Sequence, residues 1–126
     1  MKPIYLKPKE MTPGVELDKT KGKFIFYGKA LPSNAHKFYE GIIEWIKEYA
    51  VAPNDETTIV FKFEYLNSTS SNKISQILSE FERINDTQKP VKAEWHYEDY
   101  DIDMKEVGHI LSEVIDIPFH FVIRPN

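Results

Sequence analysis

Apolar residues recur along this chain with two different periods, which predict strands and helices in turn. A period of two, typical of a half-buried strand, runs through residues 59–65. A helical spacing runs through residues 74–84, and Asn85 and Asp86 end it. Between the two patterns lies a short segment of small polar residues. The pattern therefore predicts a strand, a polar turn and a helix in direct succession.

The same two periods predict the other elements. Residues 15–17 and 23–27 read as two strands joined by a hairpin-type loop in which Gly22 comes late. Asn34 is placed to cap a first helix, whose apolar stripe runs from Phe38 to Tyr49. Residues 91–97 alternate as a further strand, and residues 119–123 form a last strand after Pro118.

A third helix is predicted between these last two strands. Asp103 and Glu106 stand at the spacing of a capping box, which would start the helix at this point. The helical spacing predicts that its buried face holds four residues: Met104, Val107, Leu111 and Val114.

The order of these elements predicts the fold class. From residue 34 onward, helices of about a dozen residues alternate with strands, which favours right-handed crossovers and a largely parallel sheet. The amino-terminal hairpin adds antiparallel strands at one edge. We therefore predict a single compact α/β domain over residues 1–126, with a mixed, mostly parallel sheet and helices packed on it.

Five polar residues lie where the strand at residues 59–65 gives way to a helix: Asn67, Ser68, Thr69, Ser70 and Ser71. Residues of these types cap helices, but one side chain satisfies only one or two backbone N–H groups. Five in a row exceed that need. A helix N-terminus also favours negative charge, so this segment is suited to bind an anion or to carry a phosphoryl group.

Composition narrows the function classes. The chain has no cysteine, which excludes thiolate catalysis, disulfides and cysteine-ligated zinc. Its net charge of −4 lacks the basic character of nucleic-acid-binding proteins. The proline-broken start does not resemble a signal peptide, and no apolar run approaches a membrane span. We therefore expect a cytoplasmic protein that binds neither nucleic acid nor membranes.

The sequence contains none of the common catalytic motifs that its residue types could form. The sequence lacks a glycine-rich phosphate loop, a G-x-S-x-G elbow and an H-E-x-x-H pattern, so we expect no enzyme and no cofactor or metal. Residues 99–103 imitate the start of a calcium loop, but Met104 and Ile110 stand where its glycine and glutamate belong. A small metal-dependent enzyme or binder that uses His96 with Asp99, Asp101 or Asp103 remains an alternative. A structural interaction subunit with hydroxyls that only cap is another.

Residues 63–71, an aromatic-rich strand end followed by Asn-Ser-Thr-Ser-Ser, resemble the central motif of the SiaC family of regulatory phosphoproteins. Residues 31–35 resemble the family's proline–asparagine helix start, and residues 95–101 its tryptophan, aromatic and acidic segment. Residues 117–119 resemble its final strand entry. The likeness extends over about residues 5 to 123, in the family's order.

That resemblance implies a fold similar to STAS-domain anti-sigma-factor antagonists and a partner-switching role. A serine/threonine kinase would phosphorylate the chain, a PP2C-type phosphatase would reverse this, and the unmodified form would bind a diguanylate cyclase. The acceptor falls on Ser68, or on Thr69 if the alignment follows Lys73. We expect seven residues on neighbouring loops to form the partner-binding patch: Asn67, Ser70, Ser71, Tyr97, Asp99, Tyr100 and Asp101.

Overall fold

A computed structural model describes residues 1–125, so the last residue of the predicted domain, Asn126, lies outside the described residues. One sheet contains six strands in chain order: β1 (Ile4–Leu6), β2 (Gly14–Asp18), β3 (Lys23–Ala30), β4 (Thr57–Leu66), β5 (Val91–Glu98) and β6 (Phe119–Arg124). Three helices connect the last four strands: α1 (Ala35–Val51), α2 (Ser68–Asn85) and α3 (Ile102–Val114).

The sheet is mixed, and its larger part is parallel. β1, β2 and β3 pair antiparallel, whereas β3, β4, β5 and β6 pair parallel. Each parallel step is a strand–helix–strand crossover between neighbouring strands. The predicted α/β class and the antiparallel amino-terminal edge are therefore confirmed. The short strand β1 was missed, because sequence analysis assigned no element before residue 15.

The helices cover one face of the sheet, and the core lies between. Alternate residues of β4 and β5 are buried, while their neighbours are half-buried or exposed. Trp95 on β5 contacts Phe61 and Phe63 on β4, with ring centroids 5.3 Å and 6.2 Å apart. The other face of the sheet carries half-buried residues such as Val60 and His96.

Two of the helix starts follow from single side chains. The Asn34 carboxamide oxygen accepts a hydrogen bond from the Lys37 N–H at 3.1 Å, so the predicted cap of α1 is confirmed. The predicted capping box of α3 is wrong. Asp101 caps this helix by accepting from the Met104 N–H at 3.0 Å, and Asp103 lies inside the first turn. The helix therefore begins two residues earlier than the capping box implies.

The buried face of α3 also differs from the prediction. Met104 and Leu111 are buried, Val107 is half-buried, and Val114 is 68% exposed. Gly108 takes the central place instead, because the Trp95 indole lies so close that a β-carbon at Gly108 would stand 2.4 Å from its Cδ1 atom. The Trp95 Nε1–H donates to the Met104 carbonyl at 3.0 Å, which holds α3 on β5.

The end of β4 departs from its alternation. Tyr65 is two residues beyond the buried Phe63, yet more than half of it is exposed. The pairing between β3 and β4 shifts here, since Gly28 pairs with Phe63 but the next residue, Lys29, pairs with Tyr65. Gly28 has a φ of +86°, a conformation that side chains rarely adopt. This irregularity accompanies the loss of the alternation just before residues 67–71, the hydroxyl segment.

Candidate functional site

The hydroxyl segment lies at the sheet edge where the parallel strands end. β4 ends at Leu66 and α2 begins at Ser68, so the serines and threonine form the first turn of α2 rather than a loop. The backbone N–H of Asn67 donates to the Ala30 carbonyl at the end of β3, at 3.0 Å. This contact fixes the start of α2 against the neighbouring strand.

Asn67 caps α2. Its side-chain oxygen accepts from the Ser70 N–H at 2.8 Å, and its carbonyl accepts from the Ser71 N–H at 2.9 Å. The first N–H groups of a helix have no intrahelical partner. The two oxygens of Asn67 accept from the N–H groups of Ser70 and Ser71. The N–H groups of Ser68 and Thr69, which come earlier in the helix, are therefore left without an intrahelical acceptor. The helix thus starts with two N–H groups available to an anion.

The hydroxyl side chains differ in exposure. Ser68 and Thr69 are exposed, Ser71 is half-buried, and Ser70 is fully buried. The predicted partner contact of the Ser70 side chain therefore does not fit its position beneath the surface. Ser70 lies next to the buried Tyr39 of α1, but the two hydroxyls do not reach a hydrogen bond. Burial raises the pKa of Tyr39.

Two basic side chains flank this first turn. Lys73 on α2 lies with its Nζ atom 3.5 Å from Nδ1 of His36 on α1. The other ring nitrogen of His36 lies 3.5 Å from a Glu40 carboxylate oxygen on the exposed surface. Lys73 therefore provides positive charge near the start of α2, where the helix dipole also favours an anion.

The acidic segment after β5 lies at the same edge of the sheet. β4 and β5 are neighbouring parallel strands, so the loops that leave them emerge side by side. Asp99 and Tyr100 are exposed, and Asp101 is half-buried because it caps α3. Tyr97 points into the core and is buried, so its predicted contact with a partner does not fit the structure.

The alternative metal site is not formed. His96 lies on the open face of the sheet, where its Nε2 atom is 3.2 Å from a Glu94 carboxylate oxygen. Asp101 is engaged at the start of α3. Within residues 1–125, no three His, Asp or Glu side chains are grouped so that they could hold a metal ion. Burial lowers the pKa of His96, and the Glu94 hydrogen bond opposes this shift.

Exposed apolar side chains lie near the hydroxyl segment, and two of them, Tyr65 and Ile102, were missed by the sequence analysis. Tyr65 at the end of β4, Tyr100 before α3 and Ile102 at its start are each more than half exposed. Together with Asp99, these residues give the sheet edge apolar and acidic character beside the hydroxyls.

No helix in the described part of the chain is long and apolar enough to cross a membrane.

Comparison with known proteins finds relatives along nearly the whole chain. An uncharacterised protein of Pseudomonas aeruginosa is 22% identical over 119 residues, which cover 94% of either chain. The solved structure of SiaC from Pseudomonas aeruginosa matches with a TM-score of 0.89 at 21% identity, covering 98% of this chain and 100% of that one.

A second structure shows the diguanylate cyclase SiaD in complex with its activator SiaC, also from Pseudomonas aeruginosa. It matches with a TM-score of 0.88 at 21% identity and covers 96% of this chain and 99% of the matched chain. The sequence model of the SiaC family regulatory phosphoproteins matches residues 6–124, nearly the whole chain. This chain therefore belongs to the SiaC family of regulatory phosphoproteins.

Proposed function

We propose that this protein is a phosphorylation-controlled switch that binds and activates a diguanylate cyclase in its unmodified form. A serine/threonine kinase adds the phosphoryl group to Ser68, with Thr69 as the alternative acceptor, and a PP2C-type phosphatase removes it. The cyclase partner is supported by the family and by the complex in which SiaC is the activator of SiaD. ATP for such a kinase is available in the cytoplasm, where we expect the switch to work.

The observation that carries this proposal is that Asn67 caps α2 while the neighbouring hydroxyls of Ser68 and Thr69 are exposed. Asn67 alone caps the helix, so the hydroxyls of Ser68 and Thr69 are not needed for its stability. Both are exposed and therefore accessible to a kinase. Capping alone accounts for Asn67, but it does not account for two exposed hydroxyls next to it.

The domain can tolerate a phosphate at this position. A phosphoserine carries about −1.5 to −2 charges at neutral pH and three acceptor oxygens. The N–H groups of Ser68 and Thr69 offer hydrogen bonds, and Lys73 offers positive charge nearby. Phosphorylation at Ser68 is therefore expected to leave the fold intact.

The same phosphate opposes the binding of a partner at this surface. Tyr65 and Tyr100 offer it apolar surface, and Asp99 adds a negative charge. A partner that covers these residues must remove water from the phosphate, which costs several kcal/mol unless a cation or hydrogen bonds replace the water. Phosphorylation thus blocks binding without unfolding the domain.

We also propose that the protein has no catalytic activity of its own. The sequence offers no thiol, and the ring of His96 contacts Glu94 rather than Asp99, Asp101 or Asp103. The regulatory description of the family agrees with this interpretation.

Mass spectrometry of the intact protein from its native cells tests the switch. We expect a phosphate adduct that maps to residues 65–73 and that disappears after treatment with a PP2C-type phosphatase. The Ser68→Ala variant should bind the cyclase but resist the kinase, whereas Ser68→Asp should bind more weakly at unchanged thermal stability. If Ser68→Ala is still phosphorylated and Thr69→Ala is not, the acceptor is Thr69. If the wild-type protein carries no phosphate on Ser68 or Thr69 in any growth phase, the switch proposal fails.

A further inference from the structure

Strand β6 forms one edge of the sheet, and its outer side has no pairing strand among residues 1–125. It is the last strand in the sheet order and pairs with β5 alone. The carbonyls of Pro118 and Arg124 accept from N–H groups on the β5 side at 2.9 Å and 3.1 Å. Backbone groups alternate in direction along a strand, so the even-numbered residues of β6 face β5. The N–H and carbonyl groups of Phe119, Phe121 and Ile123 therefore face outward.

The two edges of the sheet are built differently. The opposite edge, β1, has only three residues and lies between Pro3 and Pro8, each of which follows a lysine. Short length, proline and lysine are the devices that keep an edge strand from pairing with another chain. β6 has six residues and contains neither proline nor lysine. Its outer side is therefore open to a further strand.

The backbone of β6 suits pairing with a second copy of itself. In an antiparallel pair, two opposed residues exchange both of their N–H···O bonds when their backbone groups face each other. A register centred on Phe121 places this residue opposite Phe121 of the second copy and places Phe119 opposite Ile123. All three outward-facing residues of each copy are then paired. A shift by two residues would leave one of them opposite a residue outside β6.

The side chains on the helix-covered face fit this register. Phe119, Phe121 and Ile123 lie on that face, because they pair with buried residues of β5. Ile123 is 56% exposed, and both phenylalanines are half-buried. Opposed aromatic pairs and pairs of an aromatic with a β-branched residue stabilise a sheet. The self-pairing register supplies one pair of the first kind and two of the second.

The charges on the open face also permit a second copy. In the same register His120 opposes Val122, and Arg124 opposes Pro118 of the other copy. Like charges opposite each other would destabilise the pair, and this register avoids them. The Nε atom of Arg124 lies 3.8 Å from a carboxylate oxygen of Glu98 in its own copy, so its charge already has a counterpart.

We propose that two copies of this protein associate through β6, antiparallel about Phe121, into one continuous sheet. The contact is isologous, so it uses the β6 edge of both copies and the association stops at a dimer. The edges that remain are the two β1 strands, which proline and lysine protect. A typical stable interface buries about 800 Å² on each partner, more than a strand edge of about 20 Å offers. The dimer is therefore weak and depends on the protein concentration.

Sedimentation equilibrium and amide hydrogen exchange of the unmodified wild-type protein test this contact. We expect the average mass to rise toward twice that of the chain between about 10 µM and about 1 mM. Over the same range, the amides of Phe119, Phe121 and Ile123 should exchange at least fivefold more slowly, because they become hydrogen-bonded. A monomeric mass at the highest concentration would overturn the proposal. A dimer in which these three amides exchange at an unchanged rate would overturn it as well.

A matched pair of variants compares the two sheet edges. Ile123→Lys places a lysine on β6, and Leu6→Lys places one on β1, where the leucine is 40% exposed. We expect Ile123→Lys to raise the dimer dissociation constant at least tenfold, and Leu6→Lys to leave it unchanged. Equal effects of both, or an effect of Leu6→Lys alone, would contradict the assignment to β6. The exchange measurement needs no variant, and the phosphorylation tests at Ser68 do not depend on this edge.

Discussion

Replacing Gly108 by alanine tests how tightly α3 is seated on the sheet. The added β-carbon would lie 2.4 Å, 2.6 Å and 2.8 Å from three atoms of the Trp95 indole. Trp95 is fully buried among aromatic residues of β4 and holds α3 through its hydrogen bond to the Met104 carbonyl. The indole therefore has little freedom to move away, and the strain falls on the packing between α3 and β5.

The expected magnitude follows from two opposing effects. Overpacking a well-filled core typically costs about 1–3 kcal/mol, and losing the indole hydrogen bond adds about 1 kcal/mol. Alanine in place of glycine inside a helix returns about 1 kcal/mol. We therefore expect Gly108→Ala to lower the free energy of unfolding by about 2 kcal/mol.

Gly41 provides the control for this substitution. It also lies inside a helix, α1, but a β-carbon there would meet no atom within 4 Å. Gly41→Ala should therefore raise the free energy of unfolding by up to about 1 kcal/mol. Urea denaturation at 25 °C followed by tryptophan fluorescence measures both variants. If Gly108→Ala is as stable as Gly41→Ala, the close contact between Trp95 and α3 is wrong.

Three further predictions concern stability. Asn67→Ala should lower the free energy of unfolding by about 1 kcal/mol, since it removes the cap of α2; circular dichroism in urea measures this, and no loss would contradict the cap. Because burial lowers the pKa of His96 below its usual 6.5, stability should fall as the pH drops through 6.5, and His96→Gln should flatten that slope in pH-dependent melting. Asp18 accepts hydrogen bonds from the Tyr5 hydroxyl and from the Lys21 N–H, and these bonds lower the pKa of its carboxyl, the Tyr5 bond more strongly. The stability that the ionised carboxyl contributes is present above its usual pKa and is lost as the pH falls through the lowered value. Tyr5→Phe should therefore make acid unfolding less steep, and an unchanged acid transition would refute this.

Periodicity predicted the order of strands and helices from β2 onward correctly, because each of these elements buries one face against a single core. The start of α3 was predicted wrongly for a local reason. Two aspartates two residues apart, Asp101 and Asp103, both have cap chemistry, and only the hydrogen bond to Met104 decides between them. Val114 carries the hydrophobicity of a core residue but is 68% exposed, because the buried places at the end of α3 are taken by Leu111 and Ile115.

The residues of the candidate site were predicted from their residue types. The side chains that turned out to be buried were those for which the strand or helix periodicity already indicated burial. Tyr97 continues the alternation that buries Ala93 and Trp95, so its burial was readable from the strand pattern. Ser70 stands four residues before the buried Ile74 and shares its face of α2. The exposure of Tyr65 was not readable, since it accompanies a register shift between two strands that are distant in sequence.

The most direct test of the switch is the affinity of one cyclase for two forms of this protein. The domain is produced unmodified and with phosphoserine incorporated at position 68, and each form is titrated calorimetrically into the diguanylate cyclases of the same organism. We predict that the unmodified form binds one of them at least tenfold more tightly, which corresponds to about 1.4 kcal/mol, while both forms melt at the same temperature. Equal affinity of the two forms for that cyclase would contradict phosphorylation control at Ser68.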